Sequence, residues 1–63
     1  MKTYEEAIQW LGTESFHLYM EGSWSCIPVG VKTVAWIYGQ EEDQVEDDVR
    51  RHRDAMIDAQ NKE

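Results

Sequence analysis

Few side chains in this sequence could carry covalent or acid–base chemistry. They are one cysteine, Cys26, two histidines, His17 and His52, and thirteen carboxylates against six Lys and Arg. Cys26 with either histidine is the sole thiol–base pairing on offer, and no third residue stands at a spacing that would orient the base. Beside Ile27 and Pro28, the cysteine reads as a small apolar residue of the interior. A lone cysteine also excludes an intramolecular disulfide and a thiolate zinc cluster. Asp48 and His52 share a helical face at i and i+4, with Glu41 or Asp47 near, which is the sequence's best approach to a metal site. One imidazole on an apolar seam packs more often than it ligates, and the acidic run lacks the alternating acids and central glycine of a calcium loop. A chain of 63 residues leaves little room for an enclosed pocket. We therefore expect no catalytic residue, no cofactor and no metal, and hence no enzyme.

Residues suited to recognition are more prominent. Positions 41–48 hold six carboxylates (Glu41, Glu42, Asp43, Glu46, Asp47 and Asp48) and no base. Such a run can imitate a phosphate ladder and offer itself to a basic cleft. It can equally be a solvated helix start that favours its own dipole. Arg50, Arg51 and Arg53 follow, and Glu46–Arg50 and Asp47–Arg51 are i to i+4 pairs worth about 0.2–0.5 kcal/mol each, so intrahelical pairing accounts for them. Trp24 falls in a Gly/Ser loop and Trp36 falls off the apolar face of its helix. Either can anchor an interface, or fill the core of a small domain. The expected partner-binding set is Glu41, Glu42, Asp43, Glu46, Asp47, Trp24 and Trp36.

These residues need elements to position them, and the apolar spacing is helical throughout. Thr3 followed by Glu6 is a capping-box pattern, and Tyr4, Ala7, Ile8 and Leu11 then trace one helical face. Gly12 is the expected terminator. Residues 13–21 fit a strand through Phe16, Leu18 and Met20, or a short helix capped by Thr13 through Phe16, Tyr19 and Met20; helix is preferred. Pro28 suits the first turn of a further helix whose face is Val31, Val34, Ala35 and Tyr38, ended by Gly39. The last helix steps by 4, 3, 4 and 3 through Val45, Val49, His52, Met56 and Ala59, which should lie on the helix over 31–38. All seven aromatic residues precede residue 39. The core should therefore come mainly from the first two-thirds. The expected fold is all-α: one domain over 1–63, a bundle of three to four short helices with a helix-turn-helix-like pair at 31–38 and 42–60, and a frayed tail at 61–63.

Val34, Ala35, Tyr38, Gly39, Val45 and Val49 together resemble the helix-turn-helix of winged-helix sugar-regulator repressors. In that motif an alanine packs where two helices cross, a glycine makes the turn and a valine fills the angle. The resemblance covers residues 34–49 and implies a DNA-reading second helix. Where that family carries bases pointed at phosphates, this chain has Glu46 and Asp47, so the implied activity conflicts with the charge.

The net charge of -7 opposes nucleic-acid binding, since Lys and Arg supply most of such affinity. No apolar run approaches the roughly 20 residues of a membrane span, and the amino terminus lacks a signal pattern, so a cytoplasmic protein is expected. Size and charge are like those of accessory proteins of phages and mobile elements. The expected function is a small acidic, non-enzymatic interaction protein that binds or inhibits a protein partner with a basic cleft, with a DNA-mimicking surface as its refinement. The alternatives are a minimal helix-turn-helix regulator and a self-associating helical module. A homodimer is expected through the Val45–Ala59 seam together with Trp24 and Trp36, with His52 as its pH-sensitive member.

Overall fold

The computed structural model describes residues 3–22 and 28–62. Among them are three helices: α1 (Tyr4–Met20), α2 (Pro28–Tyr38) and α3 (Glu42–Gln60). The all-α bundle expected from the sequence is what forms. Trp24 and Cys26, with residues 23–25 of the loop expected over 21–25, lie outside the described residues, as does Glu63 of the expected tail.

Thr3 caps α1 in extended backbone, its hydroxyl oxygen accepting the Glu6 N–H at 3.1 Å. The helix does not stop at Gly12. It runs unbroken for 17 residues, which also decides residues 13–20 as helix without a second cap at Thr13. The reason is visible in the buried face: Ala7, Ile8, Leu11, Gly12, Ser15 and Phe16 keep helical spacing straight through the glycine. Thr13 instead turns its hydroxyl back onto the Gln9 carbonyl at 2.8 Å. The glycine that ends α1 is Gly22, at φ 82°, whose N–H reaches the Tyr19 carbonyl at 3.0 Å.

Gly39 ends α2 as expected. It sits at φ 66°, and the next N–H, that of Gln40, reaches back to the Ala35 carbonyl at 3.0 Å. That bond pattern is the Schellman ending, which needs a left-handed residue and so suits glycine. α3 then starts with Glu42 and Asp43 in its first turn, where negative charge favours the helix dipole.

Three contacts fix the arrangement. The Tyr4 hydroxyl donates to Asp48 at 2.6 Å and the Thr13 hydroxyl lies 3.8 Å from the Met56 sulfur, so α1 and α3 run in the same direction. The Tyr4 and Tyr38 rings meet edge to face at 5.9 Å, which places the end of α2 at the start of α1 and makes α2 antiparallel to both. The core holds Ala7, Ile8 and Leu11 from α1, Val31, Val34 and Ala35 from α2, and Val45 and Val49 from α3, with Tyr4 and Tyr38 closing one end.

Two expectations about α3 change. Its seam lies mostly along α1 rather than along α2. Val45 and Val49 are buried, His52 and Met56 are half-buried, and Ala59 is exposed. Length explains this: 11 residues span about 16 Å and 19 residues about 28 Å, so α2 cannot cover the last turns of α3.

Gly12 has a different task from the one its type suggested. A β-carbon placed there would lie 2.4 Å from His52 Cδ2 and 2.7 Å from His52 Cβ. The missing side chain is what lets α3 approach α1 so closely, with the imidazole lying over the glycine.

Candidate functional site

The acidic start of α3 is divided by its own chemistry. Glu46 pairs with Arg50 at 3.1 Å and Asp47 with Arg51 at 2.8 Å, the two i to i+4 pairs expected from the sequence. Asp48 accepts from Tyr4 and, at 3.0 Å, from the Gln44 amide. Three of the six carboxylates are thus engaged. Glu41, Glu42 and Asp43 are exposed, and no ion pair to them forms among the described residues. Like charges gathered at a helix start gain from the dipole and from hydration, and they present an uncompensated negative surface.

Asp48 and His52 are positioned for packing and hydrogen bonding. His52 is held against Gly12, and Asp48 is committed to Tyr4. No group of three or more His, Cys, Asp or Glu that could hold a metal ion occurs among the described residues. A shallow groove between α1 and α3 is lined by Tyr4, Glu5, Ile8, Asp48, Arg51 and His52. Its phenol is the wrong way round for a nucleophile. Burial, the hydrogen bond to Asp48 and the charge of that carboxylate push the Tyr4 hydroxyl up to about 12, which holds the proton on. No helix among the described residues is long and apolar enough to cross a membrane.

Trp36 lies off the core-facing side of α2, as its spacing indicated, and is 84% exposed. It is not isolated. Val29 is 75% exposed and Ile37 59%, and Thr33 is exposed between them. Val29, Thr33, Trp36 and Ile37 stand at i, i+4, i+7 and i+8, which is one stripe of a helix. Thr33 donates its hydroxyl to the Val29 carbonyl at 2.8 Å, so the one polar group of the stripe is already satisfied by the helix. α2 is therefore apolar on both sides: Val31, Val34 and Ala35 face the core, and this stripe faces solvent.

Sequence reasoning found Trp36 and missed Val29 and Ile37. Their signal was present as a second set of apolar residues at the same helical period, half a turn from the first. The two surfaces are consecutive in the chain. Ile37 is four residues from Glu41, with the Gly39 turn between them, so the stripe ends where the unpaired carboxylates begin. Trp24, the remaining expected residue, lies outside the described residues.

Compared with known proteins, the chain matches no family model, no curated protein and no solved structure.

Proposed function

We propose that this chain is a small acidic interaction protein without catalytic activity, which binds a protein partner through the junction of α2 and α3. The observation that carries the reading is the exposed apolar stripe of α2 running into the unpaired carboxylates at 41–43. A tryptophan 84% exposed on a helix is an unfavourable thing to leave in water, and tryptophan is among the residues most enriched at energetic centres of interfaces. Glu41, Glu42 and Asp43 add charge that would steer a basic partner to this end of the molecule.

The groups available for chemistry support the same class. His52 packs, Asp48 accepts from a phenol that keeps its proton, and Glu46 and Asp47 are satisfied within their own helix. DNA is not the partner proposed. Residues 34–49 resemble a helix-turn-helix in their spacing, yet the residues of α3 that follow Val45 are Glu46 and Asp47, which a phosphate backbone repels.

The test immobilises the chain and the triple variant Glu41→Gln, Glu42→Gln, Asp43→Asn, and passes a lysate of the source organism over both. We expect the native chain to retain a basic protein in a salt-sensitive manner, and the triple variant to lose it. Retention of the same protein by both would remove the carboxylates from the site, and retention of nucleic acid alone would overturn the reading.

A further inference from the structure

We infer that the outer stripe of α2 is covered by α2 of a second copy of this chain, packed antiparallel across a two-fold axis beside Thr33. This inference rests on the proposed interaction role and divides its surface: the second copy covers the apolar stripe, and the carboxylates at 41–43 stay exposed at the ends of the pair for a basic partner. The charge distribution selects the occupant. The chain carries thirteen acids, and none of them is on α2, whose single charged residue is Lys32. Two copies with a net charge of -7 each repel one another through α1 or α3. Among the described residues, the stripe of α2 lies on the one helix that carries no carboxylate, so two copies can meet there without placing carboxylates together.

An antiparallel pairing completes the separation. Thr33 stands five residues from the end of α2 at Tyr38, about 7.5 Å along the helix, and residues 41–43 lie beyond the Gly39 turn, so the two 41–43 clusters would lie about 15 Å or more apart, at opposite ends of the pair. That is beyond the screening length of about 8 Å at physiological salt. The stripe is also self-complementary, as a two-fold interface must be. Thr33, the smallest exposed member, lies at its middle, with Val29 one turn before it and Trp36 and Ile37 one turn after. Antiparallel packing places the Trp36 ring against the second copy's Val29. The stripe spans about 12 Å by one helix width, less than the roughly 800 Å² per partner of a standard interface, so the dimer should be weak, with a dissociation constant in the micromolar range.

Sedimentation equilibrium of the full chain tests this at 5–200 µM by design, roughly the span a weak interface requires. The native protein should shift from monomer to dimer across that range, and more so at high salt, because salt screens the repulsion between the copies. Trp36→Ser, which changes an exposed residue, should remain monomeric with an unchanged circular dichroism spectrum. In a Cys26→Ser background, Thr33→Cys should form disulfide-linked dimers under mild oxidation much faster than Gln40→Cys, a position also exposed but away from the axis. A native chain that stays monomeric, or a dimer that survives Trp36→Ser, overturns the inference. So does Thr33→Cys linking no faster than Gln40→Cys. The two readings separate cleanly. Capture of a basic partner weakens with salt and needs residues 41–43, whereas the dimer strengthens with salt and persists in the triple variant.

Discussion

Replacing Gly12 by alanine sets two effects of similar size against each other, and the structure decides the sign. In an exposed helix the change is favourable by about 1 kcal/mol, because glycine loses more backbone entropy and alanine has the highest helix propensity. Here the new methyl would meet His52 Cδ2 at 2.4 Å, Cβ at 2.7 Å and Cγ at 2.8 Å. Ordinary carbon contacts begin near 3.5 Å, so about 1 Å of overlap must be relieved. The imidazole can swing, but Cβ is fixed to the α3 backbone, so α1 and α3 must separate. Overpacking of this kind costs about 1–3 kcal/mol, which outweighs the propensity gain. We expect Gly12→Ala to destabilise the fold by about 1 kcal/mol net, within a total of about 3–9 kcal/mol for a domain of this length. Urea unfolding followed by circular dichroism measures it. Against His52→Gly, which removes every clashing atom, the double-mutant cycle should return a favourable coupling of comparable size. An alanine variant more stable than the native chain would refute the close approach, and the glycine would then be an unoptimised helix residue.

Val49, buried between the helices, should not tolerate charge: Val49→Asp forfeits about 1.5–3 kcal/mol of burial and adds an unpaired carboxylate, so circular dichroism should show an unfolded chain at 25 °C. Tyr4 should be visible in an ultraviolet titration as a phenol ionising at about 12, lost in Tyr4→Phe. Since the folded state raises this pKa above the ordinary 10, the associated stability is present in full below pH 10 and disappears as pH rises through about 12, and Tyr4→Phe should flatten that alkaline loss. At neutral pH the same variant should cost about 0.5–1.5 kcal/mol for one lost hydrogen bond. A gel-shift titration with duplex DNA at physiological salt should show no binding, and tight salt-sensitive binding would place a recognition surface that the charges on α3 do not suggest.

Features set by neighbours in the chain were legible from the sequence. The Thr3–Glu6 cap, the Gly39 turn and the Glu46–Arg50 and Asp47–Arg51 pairs depend on residues three to five positions apart, and each forms as its spacing dictates. Features set by residues from another helix were not. Gly12 and Gly39 are the same residue type at similar places after an apolar run, and only His52, forty positions away, makes one a contact surface while the other is a terminator. Periodicity says which side of α3 is apolar but not which helix will cover it, so α1 was missed as its main neighbour. The Tyr4–Asp48 bond lies across the same boundary.

The candidate surface follows from how small the core is. Among the described residues, Leu11 and Val45 are the largest side chains wholly removed from water, and every other member of the central cluster is an aliphatic or an alanine. Helices brought together over alanine, valine and glycine approach closely, and close approach leaves no volume between them for an indole. Trp10 and Trp36 are consequently at least half exposed, although a domain of this size gains most from burying its largest residues. For Trp10, alone among polar neighbours on its helix face, nothing further is needed, since single apolar residues on a surface are ordinary. Trp36 differs because Val29 and Ile37 accompany it on a helix whose inner side is already apolar. A stripe of that kind adds nothing to the packing of the monomer. Its stabilising value is realised only when another surface covers it, which is why the interaction role is placed on α2 and not on the more conspicuous acids alone.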